Sequence, residues 1–516
     1  MLKANKILSV ILTLCILASL IAGCAGTPAE VSGTPSAAGE PGSADAPKEP
    51  VTLNFWMVGN AQDQHDRVET AVNAYLKDTL GSNIQVNIEE LGWDDTYNTK
   101  ANNGLATGQD IDILFTSSWA ANIAMNAGEG YYLPLNDYIA KYPEVAQILG
   151  DDYIKGTQIN GVNYAMPCNK EKFHNWGYLL RKDLVEKYKV DLTKIKSTKD
   201  LEPIFDQILA NEPGITPIGM SSMDVPEWKF LDWDGVSDDD LPGAFYPSTD
   251  NSKTTIINQW TAPESVAVYK QMKEYLKKGY ISADAATAPS VTELLGTGKY
   301  FAAVQSLKPD KDKEMSMSTG VEYVQVDITQ PYKTNRETLG GALLAIPQQS
   351  KHPDEAFEFI SLLYTDANLI NLIVYGQKDV DYTLNANGTV TPIEGSGYAS
   401  GNGWRFGDQF KDYLLDTEST DKWDRFIAAN NSAPALYSHG FLFDVKKDPA
   451  KEEELKTIIA NCKAVTQEYY KTLLSGQAPD VDKMVAEMDA KYKAAGVDKL
   501  IAEMQAQFDE WVAATK

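Results

Sequence analysis

Apolar runs of strand length alternate with amphipathic runs of helix length over most of the chain, and their order predicts a wound α/β fold. Residues 51–58 (VTLNFWMV) pass from alternation into continuous apolarity and stop at Gly59 and Asn60, the pattern of a strand entering a buried sheet. A helix over about 63–78, a strand over 84–91, a helix over about 94–107 and the buried strand 111–115 (IDILF) follow. This β-α-β-α-β order predicts a doubly wound layer of parallel strands, whose ligand loops lie at the carboxyl ends of the strands. Gly59 and Asn60, Gly92 and Trp93, and residues 116–119 occupy those loops.

Residues 161–168 read as a strand leaving this first lobe, and 177–183 as one that starts a second. Helices over 183–189 and 197–210 keep the alternation, and 263–279 is amphipathic. A strand over 298–305 is placed to cross back, with further strands over 322–328 and 340–346. Residues 351–364 begin with Pro353, Asp354 and Glu355 and are helical, since proline and acids favour the first turn. From 447 to 516 the pattern becomes long helical runs rich in Ala, Glu, Lys and Leu, interrupted at 476–479 and at Gly496. The heptad register breaks at each glycine, so these helices are expected to pack on the second lobe rather than form a free coiled coil.

The first residues read differently. Lys3 and Lys6 precede an apolar run over 7–21, which ends in Ile21, Ala22, Gly23 and Cys24. That is a signal peptide over 1–23, too short to span a bilayer comfortably. Residues 25–50 are rich in Ala, Gly, Pro and Ser and hold one large aliphatic residue, Val31. Such a stretch cannot offset its ordering entropy by burial and is expected to be a tether over 24–50.

The formal charge of −26 becomes −28 without Lys3 and Lys6, which excludes nucleic acid as a partner. Of the four cysteines, Cys168 and Cys462 remain available for pairing, and no disulfide is expected. The histidines His65, His174, His352 and His439 are scattered, so no metal and no cofactor are expected.

The order of features resembles the family-1 extracellular solute-binding lipoproteins of bacterial ABC importers. The matching pieces are Cys24 in its lipobox, Phe55 and Trp56 on the first strand, residues 106–112 (ATGQDID), 161–167 and Gly298–Lys299. Residues 340–347, followed by the helix that opens with Pro353, also match. Residues 432–444 and the terminal helices resemble a subgroup with a C-terminal helical extension. The resemblance implies a two-lobed, periplasmic-binding-protein-like α/β clamp with hinge crossovers. By that analogy lobe 1 is 51–165 plus 306–347, and lobe 2 is 166–305 plus 348–516. It also implies a lipid on Cys24, an extracytoplasmic monomer anchored to the membrane, a small-molecule ligand of carbohydrate type, and ABC transporter membrane subunits as partners.

A sugar site needs aromatic planes for the C–H faces of the rings and polar groups for the hydroxyl rim. Ten Trp and twenty-six Tyr supply the planes. Trp119, after a strand's carboxyl end, and Trp404, in the glycine-rich run 401–407, head the candidates, followed by Trp93, Trp176, Trp228 and Trp233. Trp56 suits core and cleft equally, and Trp260 and Trp511 read as packing residues. Asn60, Gln62, Ser117, Asn169, Lys170, Arg336 and Arg405 are the polar candidates. No catalytic residues are assigned. An exported carbohydrate-active enzyme would need a carboxylate pair at a defined separation, and the Asp-rich stretch 232–240 reads instead as solvated turns. Binding proteins for peptides or other solutes, a calcium site in that stretch, and a lipoprotein scaffold remain alternatives.

Overall fold

The computed structural model describes residues 49–159, 161–237, 240–288, 290–334, 341–398 and 401–516; the signal sequence, Cys24, most of the tether and Arg336 lie outside them. The first sheet contains β1 (Val51–Met57), β2 (Ile84–Glu90), β3 (Ile113–Thr116) and β4 (Ala165–Pro167). Helices α1 (His65–Asp78) and α2 (Asp94–Thr107) connect the first three, and α3 (Ile123–Gly128) follows β3. The second sheet contains β5 (Trp176–Arg181), β6 (Thr216–Gly219), β7 (Tyr300–Ser306) and β8 (Tyr323–Asp327). Between them run α4 (Thr198–Asn211), α5 (Pro263–Lys278) and α6 (Lys311–Thr319). The chain then returns with β9 (Leu343–Ala345) to the first sheet, whose order is β2-β1-β3-β9-β4.

The alternation that predicted β1 is visible in its burial, with Leu53, Phe55 and Met57 fully enclosed. β1 is parallel to β2 and β3, as the wound order requires, whereas β9 runs antiparallel between β3 and β4. In the second sheet, ordered β8-β5-β7-β6, β5 is antiparallel to both neighbours and β6 is parallel to β7.

Two large hydrophobic cores lie on these sheets, with a smaller third cluster of Leu179, Val291, Leu295, Ala303, Leu307, Met315 and Tyr323 on the second sheet. The two large cores do not follow the expected division at 306–347 and 348–516. β7 does not cross back but pairs inside the second sheet, and β8 joins the same sheet. Helices α7 (Pro353–Thr365) and α8 (Ala367–Tyr375), with the chain as far as Leu415, belong to the first core. The reason lies in α7, which buries Ala356, Phe357, Phe359, Ile360, Leu363 and Tyr364. A helix apolar over so much of its surface must be covered on more than one side. Phe55 of β1 meets Phe359 edge-on at 6.2 Å and Phe406 at 6.1 Å.

After α9 (Lys422–Ser432) the chain returns to the second core, where α10 (Glu452–Leu474), α11 (Val481–Ala495) and α12 (Val497–Thr515) bury Leu473, Met488, Tyr492, Leu500 and Phe508. Gly476 lets this bundle approach α5: its φ is +73°, and a Cβ there would lie 2.3 Å from the Met272 carbonyl oxygen. Cys168 and Cys462 are buried in different cores, which explains why they are not bonded to each other.

Three segments connect the cores and are hydrogen-bonded side by side. His174 and Tyr332 exchange backbone bonds at 3.0 Å, and Lys333 pairs with Pro434 and Leu436 at 2.9 Å. Beside them lies a buried ionic group in which Lys308 reaches Glu314 at 3.0 Å and Glu171 at 3.6 Å, and Lys422 reaches Glu418 at 2.6 Å.

Candidate functional site

The two cores face each other across a cleft with about 1380 Å³ of empty space, counting its open mouth. Its first-core wall is the loop after β3 and the start of α3, with Ser118, Asn122, Ile123 and Ala124, joined by Gly156, Thr157 and Ile159. Asn122 shapes this wall, because its Oδ1 accepts from the Met125 N–H at 2.9 Å and its Nδ2 donates to the Ser118 carbonyl at 3.0 Å. The opposite wall holds His174, Trp176, Trp228, Lys229, Asp232, Trp233, Asp234 and Gln259, with Leu442 and Phe443 from the C-terminal segment.

The second wall is an aromatic surface with polar edges. Trp228 stacks on the fully buried Trp260 at 4.6 Å, which fixes its plane. Trp176 is half-buried with the Lys229 ammonium 4.7 Å from its ring centroid. Trp233 lies 4.9 Å from Tyr246, and its buried Nε1 has no hydrogen-bond partner among the described residues. His174 Nε2 is 2.7 Å from Asp232 Oδ1, which fixes the ring. Asp232 itself sits in the left-handed region, with φ of 52°.

Asp234 is 6% exposed and accepts from the Ser438 hydroxyl. Burial pushes its carboxyl up to about 6; the Asp232 charge adds to the shift, while Ser438 and His174 oppose it. The solvated-turn reading therefore fails at Asp234, whose neighbours cover it. Asp238 and Asp239 lie outside the described residues.

Trp176, Trp228 and Trp233 are thus brought together on one wall. Trp93, Trp119 and Trp404, two of which head the sequence candidates, form a separate half-buried cluster on the first core. Trp93 stacks on Trp404 at 6.3 Å, Trp119 lies 6.2 Å from Trp404, and both Trp119 and Trp404 pack on Phe115. The Trp119 Nε1 donates to the Gly341 carbonyl at 3.0 Å. They do not line the cleft. Gln62 lines a second, shallower depression where Met317 of α6 faces residues 392–398, and Asn60 is exposed.

Four expected rim residues have structural partners instead. Ser117 is fully buried, and its Oγ accepts from the backbone N–H of Trp119 and Ala120 at 3.1 and 2.7 Å. Asn169 donates to Asp408 at 2.9 Å. Lys170, 3% exposed, pairs with Glu171 at 3.0 Å. Arg405, also 3% exposed, donates to the Val58 carbonyl. Each lies next to a loop of the kind that binds ligand, but its polar atoms are turned inward to satisfy buried backbone or charge. Arg336 lies outside the described residues.

Among the cleft residues that sequence reasoning did not place in the site are Ser118, Asn122, Thr157, His174, Lys229, Asp232, Asp234, Gln259, Leu442 and Phe443. His174, two residues before Trp176, and Asp234, next to Trp233, could have been found as polar neighbours of those indoles; nothing local marked Leu442 or Phe443 as cleft residues.

Comparison with known proteins agrees with this architecture. The bacterial extracellular solute-binding protein family matches residues 64–369, and a domain of unknown function, DUF3502, matches residues 438–513. A carbohydrate ABC transporter substrate-binding protein of Streptococcus pneumoniae serotype 4 (strain ATCC BAA-334 / TIGR4) is 25% identical over 462 residues, covering 88% of this chain and 89% of that protein. Among solved structures, the N-glycan transport solute-binding protein NgtS from Streptococcus pneumoniae, in complex with Man5GlcNAc, superposes with a TM-score of 0.79. It is 24% identical, and the match covers 91% of this chain and 100% of that one. The alginate-binding protein AlgQ2 without calcium ion superposes with a TM-score of 0.58 at 17% identity, covering 89% of this chain and 98% of that one. Two large sheets, three connecting segments and a family match over more than half of its length make this chain a member of the bacterial extracellular solute-binding proteins.

Proposed function

We propose that this protein captures an oligosaccharide between its lobes and presents it, chemically unchanged, to the membrane subunits of an ABC importer. The observation that carries the reading is the cleft itself. One wall offers the indole planes of Trp176, Trp228 and Trp233 edged by His174, Asp232, Lys229 and Gln259, and the facing wall offers Ser118, Asn122 and Thr157. Flat apolar faces ringed by hydrogen-bonding groups match a pyranose, which is apolar on its faces and hydroxylated around its rim. The carbohydrate relative and the NgtS complex support the same ligand class. The three segments joining the lobes suit hinge closure, in which ligand raises the closed population through its differential affinity. The lobes are taken as the two cores, 51–168 with 342–415 and 176–328 with 438–516. The mature protein is held outside the cell membrane by a lipid on Cys24 and acts as a monomer.

The test is thermal unfolding of residues 49–516, one contact-continuous unit, against high-mannose glycans, alginate oligosaccharides, disaccharides and peptides. Binding raises the unfolding temperature in proportion to RT ln(1 + [L]/Kd). The reading expects a saturable rise with a saccharide recovered intact. A rise with peptides alone overturns the ligand class, and a cleaved saccharide overturns the transport role in favour of an enzyme.

A further inference from the structure

The C-terminal region, which matches a domain of unknown function, contributes to the cleft on one side and touches the first lobe on the other. Its entry segment is pinned. Phe441 packs against Phe508 at 5.2 Å and Trp511 at 5.9 Å. The Asp444 N–H donates to Gln507 Oε1 at 3.0 Å, and Gln507 Nε2 donates to the Asp444 carbonyl at 3.0 Å. Ser438 holds Asp234 in the cleft wall. Between these anchors Leu442 and Phe443 line the cleft, and Leu442 stays 36% exposed. A pinned, exposed leucine beside indole planes extends the apolar surface of the site to its lip.

A few residues on, the same region reaches across the mouth. Lys446 Nζ donates to the Gly128 carbonyl, the last residue of α3. Lys456 lies 3.7 Å from Glu129, and Glu452 bridges the two lysines at 4.0 and 2.9 Å. The end of α3 leaves carbonyls without intrahelical partners, where ammonium groups are favourable. α3 opens in the cleft with Ile123 and Ala124 and is gripped at its far end by the second lobe's own extension.

We infer that the C-terminal region is part of the binding site: Leu442 and Phe443 form a lip for the C–H face of a sugar ring, and Lys446 and Lys456 clasp α3 to hold the clamp shut. The lip rests on the carbohydrate reading above; the clasp does not. Two half-exposed contacts of this kind shift an open–closed equilibrium by about three- to tenfold.

Two measurements test it on residues 49–516. With Man5GlcNAc as the probe, Lys446→Ala with Lys456→Ala raises the dissociation rate about three- to tenfold at low salt, and Leu442→Ser with Phe443→Ser weakens affinity about tenfold or more. Paired spin labels on Lys77→Cys in α1 and Lys277→Cys in α5, both exposed, report lobe separation with no ligand. There the lysine variant shows a larger wide-separation population than the parent, and the difference disappears in about 0.5 M salt, where exposed charges are screened. Identical distance distributions at low salt overturn the clasp, whatever the ligand proves to be. If the parent fails to bind every saccharide, the carbohydrate reading and the lip fall together, and the spin-label result alone decides the clasp. Unchanged Man5GlcNAc affinity in the leucine–phenylalanine variant, with parental binding intact, overturns the lip.

Discussion

Replacing Asp234 with asparagine makes the electrostatic cost of the cleft wall measurable. The Asp234 carboxyl is enclosed, beside the charge of Asp232, with the Ser438 hydroxyl as its donor, and its pKa is pushed up to about 6. An unfolded chain binds the same proton with a pKa of about 3.9. The folded protein therefore holds the proton more tightly. The associated stability is complete below about pH 3.9 and is lost as the pH rises through about 6. A rise of about two units corresponds to about 3 kcal/mol over the full window, of which about 2 kcal/mol falls between pH 4 and pH 7.5. Asparagine does not ionise, so the stability of the parent relative to Asp234→Asn drops by about 2 kcal/mol across that interval. Urea unfolding of both proteins at the two pH values reads the difference, with every other titrating group common to both. A parent-minus-variant difference that stays constant with pH refutes the buried, proton-retaining carboxyl.

Trp176→Ala removes a half-buried indole plane from the cleft and lowers saccharide affinity about three- to tenfold, measured by calorimetric titration; unchanged affinity removes Trp176 from the site. Gly104→Ala places a methyl 2.4 Å from the Trp56 ring and lowers stability by about 1–3 kcal/mol through overpacking, read as a lower midpoint in urea. Lys422→Met strands Glu418 in the buried hinge group and costs about 3–5 kcal/mol. If that variant unfolds at the parental midpoint, the pair is not the enclosed ion pair described. Cys24→Ala abolishes incorporation of labelled palmitate and releases the protein from the membrane fraction; continued incorporation refutes the anchor at this cysteine.

The wound order of the first sheet was legible because its strands announce themselves by pattern: β1 and β2 alternate, and β3 is a short, wholly buried run dominated by Ile113, Leu114 and Phe115. The assignment of β8, α7 and α8 was not legible, since periodicity says that α7 must be covered but not by which sheet. For the site, chemistry was legible and orientation was not. Trp176, Trp228 and Trp233 were identifiable as aromatic residues among polar neighbours, and they do line the cleft. Ser117, Asn169, Lys170 and Arg405 look the same in sequence as ligand-facing groups, yet their side chains turn inward to Ala120, Asp408, Glu171 and Val58. Leu442 and Phe443 reach the cleft from some 200 residues away from Asp234 along the chain, a juxtaposition that no local pattern encodes.

The insertion of β9 between β3 and β4 dictates the earliest moment at which the first lobe can exist. As the polypeptide emerges from its amino end, β3 and β4 become available early, but the strand that satisfies the facing edges of both arrives only at residues 343–345. Until two-thirds of the 516 residues have emerged, that sheet is missing a middle strand and presents two unpaired edges. Nascent chains released before residue 343 carry a sticky, incompletely hydrogen-bonded layer, whereas those released after residue 415 contain every segment that builds the first core.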